Sequence, residues 1–135
     1  MAETFELEVV TPERQLVKEQ VQEAQIPGKE GYLGVLPGHA PLLTELGTGF
    51  MYYVTGGKRY YLSIHGGFAE VLPDRVRLLA NGSERAEEID VERARRARER
   101  AQREMMNPSL GVDPAAALNA IARAEARLAA AAAQK

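Results

Sequence analysis

The chain has 135 residues, with 17 Lys and Arg against 19 Asp and Glu, a formal net charge of −2 and 45% hydrophobic residues, the make-up of about one folded domain. That balance excludes a globally basic nucleic-acid binder and an acidic disordered tail, and the absence of cysteine excludes a disulfide framework or a thiolate metal site. No run reaches the roughly 18 to 20 apolar residues that cross a bilayer, and the start, Met1-Ala2-Glu3-Thr4-Phe5-Glu6, carries no basic region followed by an apolar one. A soluble, cytosolic protein is therefore expected, with any membrane association made through a partner.

The first part of the chain reads as strands. Residues 5–9 alternate apolar and polar positions, as a half-buried strand does, and residues 21–26 are looser but compatible. Residues 27–41 then pack Gly28, Gly31, Gly34 and Gly38 with Pro27, Pro37 and Pro41 among regularly placed apolar residues. Gly supplies positive φ and Pro fixes φ while removing a donor, so this segment predicts tight turns threaded between short strands. It lacks the terminal Gly-Lys-[Ser/Thr] of a phosphate loop and opens no helix. On composition alone, purely structural turns and a protein-docking surface fit it equally. Residues 50–54 and 58–64 flank Gly56-Gly57, a hairpin turn, and residues 68–72 and 75–79 flank Pro73-Asp74, another. Short strands at this spacing predict an antiparallel β-sandwich or barrel with one modest core.

Near Glu84 the pattern changes. Residues 90–106 contain neither Gly nor Pro and are dominated by Ala, Arg and Glu, all good helix formers. Asp90 is placed as an N-cap, and Val91, Ala94, Ala101 and Met105, with Ala97 or Arg98 between, trace one face. Asn107-Pro108-Ser109-Leu110-Gly111 breaks the helix; Asp113-Pro114 starts a second, which runs through Leu118, Ile121 and Leu128 into an Ala-rich tail. An antiparallel two-helix hairpin follows. Its faces are mostly Ala, and since burial is worth about 25 cal/mol per Å², its docking should be marginal while each helix keeps its own propensity. That suits an element that moves.

Chemistry-bearing clusters are sparse. His39 and His65 have no Cys beside them and no set of three or four ligands, so a metal site is not expected. No Ser–His–Asp arrangement or paired-carboxylate site marks an enzyme. The first helix carries Arg93, Arg95, Arg96, Arg98, Arg100 and Arg103 against Glu92, Glu99 and Glu104. A solvated helix with internal ion pairs and an Arg-rich surface for an acidic partner or phosphates are both open readings.

Residues 26–45, together with Gly66-Gly67-Phe68-Ala69-Glu70-Val71, closely resemble the ε subunits of bacterial F-type ATP synthases, and the resemblance extends over essentially the whole chain. It implies a ten-stranded β-sandwich over residues 1–86 and a helical hairpin acting as a regulatory arm over residues 87–135. It further implies a non-catalytic rotor subunit of the central stalk, peripheral on the cytoplasmic face of the bacterial plasma membrane, coupling proton-driven rotation to ATP synthesis by the α/β hexamer. The sandwich would meet γ and the c-ring, with Tyr32, Leu33, His39, Leu42 and Leu43 as candidate contacts. In the family the extended hairpin meets acidic loops of the β subunits and inhibits ATP hydrolysis, which makes Arg95, Arg96, Arg98, Arg103 and Arg127 candidates for that contact. Ile89-Asp90-Val91-Glu92-Arg93-Ala94 matches the pattern of relatives that bind regulatory ATP on the docked hairpin. Carried over, the candidate nucleotide contacts are Glu84, Asp90, Arg93, Ala94, Arg100 and Arg123, with no cofactor required. Some relatives keep the hairpin docked permanently. A free-standing nucleotide-binding module, with the helices as a lid, is the competing reading.

Overall fold

The computed structural model describes residues 3–135; Met1 and Ala2, part of the start read above for a signal segment, lie outside the described residues. Eight strands come first: β1 (Phe5–Val10), β2 (Gln15–Val21), β3 (Glu23–Gly28), β4 (Gly31–Val35), β5 (Leu42–Thr55), β6 (Lys58–Val71), β7 (Arg75–Ala80) and β8 (Ser83–Arg85). A single 3-10 turn, Ala86–Glu88, leads to α1 (Val91–Met106); a second, Pro108–Leu110, leads to α2 (Pro114–Gln134). The chain is thus a β-sandwich followed by a two-helix hairpin.

The strand order is β2-β1-β7-β6-β5-β3-β4, with β8 paired to β6. Every pairing is antiparallel except β1 with β7, which run parallel in the register Glu6 opposite Arg75 to Val10 opposite Leu79. The sheet is therefore mixed rather than wholly antiparallel. Eight strands, not ten, form because β5 and β6 continue through positions that read as breaks in the sequence. Their register is unbroken across Gly47 and Gly66, with Leu46 opposite Gly67 and Thr48 opposite His65. Gly66 (φ +73°) and Gly67 (φ +123°) bend β6 instead of ending it, a conformation that L side chains disfavour. The two halves of the ribbon then serve different neighbours: Leu46–Val54 of β5 meet β3, while Gly67–Val71 of β6 meet β7.

One core joins the layers. Phe5, Leu7, Ile26, Met51, Leu62, Ile64 and Leu78 are among its largest fully buried members, and no helix residue belongs to it. β1 shows the expected alternation, burying Phe5, Leu7 and Val9. β2 was not legible in the sequence, because Lys18, Glu19 and Gln20 are exposed in succession on an edge strand that buries only Leu16, Val17 and Val21.

Both helices begin as their sequences dictate. The Asp90 carboxylate accepts from the Arg93 backbone N–H at 3.1 Å, and the Asp113 carboxylate accepts from that of Ala115 at 3.1 Å, with Pro114 opening α2. Their buried positions are all alanine: Ala94 and Ala101 on α1, and Ala117, Ala124, Ala126, Ala130 and Ala131 on α2. The large apolar residues do not mark the seam: Leu118 is 54% exposed and Met105 is exposed too. Arg98 rather than Ala97 occupies the partly buried position between Ala94 and Ala101. Alanine lets two helices approach closely, and larger side chains are pushed to the flanks. α2 lies across β5 and β6, and α1 packs on α2. Among the described residues no helix is long and apolar enough to cross a membrane.

Gly67 sets the corner most tightly: a Cβ there would lie 2.1 Å from the Leu79 carbonyl oxygen. Gly67→Ala combines that clash with a positive φ, and a loss of at least about 2 kcal/mol is expected in chemical denaturation. Gly34→Ala, where a Cβ meets nothing within 4 Å, should change stability by less than about 1 kcal/mol.

Candidate functional site

A cleft of about 390 Å³ opens where the sandwich hands over to the helices. Glu84 on β8, Glu88 in the 3-10 turn, Asp90 at the α1 cap, Arg93, Ala94 and Ala97 on α1, and Arg127 on α2 line it. Four of the six residues read from the sequence as nucleotide contacts, Glu84, Asp90, Arg93 and Ala94, are thus brought together. Arg100 and Arg123 are not: both are exposed and neither lines the cleft. Arg100 lies seven residues beyond Arg93, about 10 Å along α1 at 1.5 Å per residue.

Arg127 takes their place. Its Nε donates to Glu84 Oε1, joining α2 to the sandwich, whereas the sequence reading placed it against a partner. The missed signal is the geometry of an antiparallel hairpin, since Arg93 and Arg127 stand at equal distances either side of Leu110. Glu88 is held by both guanidinium nitrogens of Arg14, at 2.9 and 3.1 Å. Those hydrogen bonds keep its carboxyl below the ordinary carboxylate range, against an opposing effect of burial. Asp90 is engaged with the α1 backbone. Arg93 alone makes no side-chain hydrogen bond or ion pair among the described residues, so one guanidinium fork faces the cleft uncommitted. The arrangement suits binding: a free cation for an anionic group, with Asp90 and Glu88 oxygens beside it to accept from a hydroxyl or amine. Among the described residues no cluster of three metal-ligating side chains occurs.

The remaining arginines of α1 divide. Arg93, Arg96, Arg100 and Arg103 follow each other at three- and four-residue steps and form one exposed stripe. Arg95 pairs with Glu92, and Arg98 lies with Leu128, Ala131 and Lys135 along the other flank. The sequence-predicted partner contacts of the sandwich divide as well. Tyr32 packs its ring 5.5 Å from Phe50, on the side of the sheet that α2 covers. Leu33 packs against the core, and half-buried His39 has its Nδ1 2.7 Å from the Ala40 carbonyl oxygen. Only Leu42 and Leu43 are exposed away from the helices. Leu43 (74% exposed) shares its sheet face with Phe68 and Leu79, each 52% exposed. These two were missed, although the alternation of buried Ala69 and Val71 already puts Phe68 on the outer face.

Two family descriptions match consecutive parts of the chain: "ATP synthase, Delta/Epsilon chain, beta-sandwich domain" over residues 4–86, and "ATP synthase, Delta/Epsilon chain, long alpha-helix domain" over residues 87–132. The chain is 64% identical over 129 residues to the ATP synthase epsilon chain of Solibacter usitatus, covering 96% of each. It is 44% identical over 128 residues to that of Nitratidesulfovibrio vulgaris, covering 95% of this chain and 96% of the relative. It is also similar to a chain in a cryo-EM structure of the Euglena gracilis mitochondrial ATP synthase, OSCP/F1/c-ring, with a TM-score of 0.79 and 28% identity, covering 98% of this chain and 83% of that one.

The Glu84–Arg127 pair, about two-thirds shielded on both sides, is a charged link between the sandwich and α2. Arg127→Ala should lower stability by about 1 kcal/mol in urea denaturation. Arg96→Ala, on the exposed stripe, should stay within about 0.5 kcal/mol.

Proposed function

The chain belongs to the epsilon-chain family of F-type ATP synthases, and from that membership we propose that it is a non-catalytic rotor subunit whose helical hairpin is a detachable arm. The observation that carries this reading is the contact beneath α2. A buried apolar cluster there holds Ile89, Ala130 and Ala131, with Phe50, Tyr61 and Val91 packed against it, while the sandwich core is complete without any helix residue. An alanine side chain removes little apolar area from water, so this contact opens at small cost. Held down, the arm leaves the enzyme complex free; released, α1 presents its stripe of Arg93, Arg96, Arg100 and Arg103 to acidic loops of the β subunits and hinders ATP hydrolysis. The 3-10 turn Pro108–Leu110 and Gly111 (φ +73°) break the chain between the helices, and that break would persist on release.

The sandwich would bind γ and the c-ring through its helix-free side, where Leu42, Leu43, Phe68 and Leu79 are exposed. Coupling of proton-driven rotation to ATP synthesis would pass through that contact, with the chain peripheral on the cytoplasmic face of the membrane. ATP is the proposed ligand of the cleft. Arg93 would take the phosphates and Asp90 or Glu88 an amine or ribose hydroxyl, and binding would steady the docked arm. At a hundredfold excess over Kd such a ligand adds about 2.7 kcal/mol to the docked state.

Reconstitution of the αβγ complex tests the arm. The full chain is expected to inhibit ATP hydrolysis more than a chain ending at Glu88, with both bound to γ. Equal inhibition would reduce the hairpin to a structural element, and failure of both to bind γ would overturn the subunit reading in favour of a free-standing nucleotide module. For the cleft, ATP should raise the Tm of the isolated chain, and Arg93→Ala should abolish that rise. A rise that survives Arg93→Ala would place ATP elsewhere.

A further inference from the structure

Beneath α2 lies an imidazole that neither the core nor the cleft uses. His65 sits on β6 opposite Thr48, on the sheet face that α2 covers, and both of its ring nitrogens are buried without a hydrogen-bond partner. Its ring rests against Gly82 in the turn between β7 and β8, where a Cβ would come within 3.4 Å of Cδ2. The charged groups facing it are Arg123 and Arg127 from α2 and Glu84 from β8; β5 contributes Thr48, which does not titrate. Glu84 is already engaged by Arg127. A neutral ring fits this place as a flat, largely apolar filler. A charged ring would be a buried cation with no acceptor and two arginines near it.

We propose that His65 is a proton-operated release for the helical arm: its neutral form is compatible with α2 docked on β5 and β6, and its protonated form is not. This goes beyond the reading of the arm as an inhibitor and rests on that reading only in taking the arm as detachable.

The direction follows from linkage. With the arm docked, burial first and Arg127 second push the His65 pKa down to about 4, against Glu84, with Arg123 adding to the fall. With the arm released, the ring is solvated and returns to the ordinary value of about 6.5. The docked state therefore binds fewer protons, so docking is at full strength above about pH 6.5 and weakens as pH falls from there towards 4. Between pH 7.5 and 5.5 the docking equilibrium should shift roughly three- to tenfold towards release, the lower figure allowing for the part of the ring that water still reaches.

A backbone amide reads this directly. The Tyr61 N–H donates to the Gln134 side chain of α2 at 2.8 Å, so its hydrogen exchange reports whether the arm is down. In the full chain, Tyr61 protection, corrected for the intrinsic pH dependence of exchange, should fall three- to tenfold from pH 7.5 to 5.5. The amide of core residue Leu7 should not follow it. In His65→Gln the Tyr61 response should be flat. In the unsubstituted chain the His65 ring, followed by NMR, should titrate below the ordinary value of about 6.5, a readout that needs no variant to fold. A His65 ring titrating near pH 6.5 with Tyr61 still protected, or an equal pH response in His65→Gln, would overturn the proposal. Both readouts use the isolated chain, so absence of inhibition in the αβγ assay leaves them untouched.

Discussion

The arrangement depends on how little apolar surface joins α2 to the sheet. The buried apolar cluster at this contact holds Ala130 and Ala131 of α2 and Ile89 from the connection before α1, with Phe50, Tyr61 and Val91 packed against them. With about 25 cal/mol per Å² available, such a seam stays within reach of single polar contacts. The Arg127 link to Glu84 and the bonds of Gln134 to Tyr61 N–H and the Arg59 carbonyl are therefore comparable in weight to the hydrophobic contact itself. In a leucine-rich seam they would be minor.

The same seam explains why the cleft and the imidazole lie where they do. Glu84 and Ser83 on β8 follow a tight turn from β7 and run directly into the 3-10 turn and the α1 cap. Within about ten residues the chain passes from the sheet beneath α2 to the helix packed above it. Charged side chains collect at this crossing because neither core admits them, and Glu84 and Glu88 find their partners on other elements, Arg127 of α2 and Arg14 of the β1–β2 turn. Arg14 of the β1–β2 turn, bound to Glu88, and Arg85, bonded to the Leu16 carbonyl, pin the crossing to the edge strand.

Much of this was legible in the sequence, for local reasons. The helix starts at Asp90 and Asp113, the break at Asn107 and the hairpin at Gly56-Gly57 are all set by neighbouring residues, and the structure realises each of them. Cleft residues Glu84, Asp90, Arg93 and Ala94 came from the resemblance carried by residues 89–94, and three of them stand together at the start of α1. Arg127 and Glu88 were not, since their roles depend on which residues a hairpin and an edge strand bring opposite them. The side of the sheet that Leu33 takes was not legible because its alternation in β4 allows either face, and pairing with β3 sets it against the core. β5 and β6 were read as shorter strands because glycine in a sequence signals a break, whereas glycine between paired strands allows a bend.

The β5–β6 ribbon has a mechanical meaning. It runs unbroken from the exposed Leu43 edge to the helix-covered aromatic ladder of Phe50, Tyr52 and Tyr61, turning one corner at Gly47 and Gly66. A sandwich made of separate strands would divide a load at every loop. Here a twist applied at one end passes along two continuous backbones, with rungs that strain in shear together instead of opening one after another. In shape the ribbon is less like two stacked plates than like a single bent leaf.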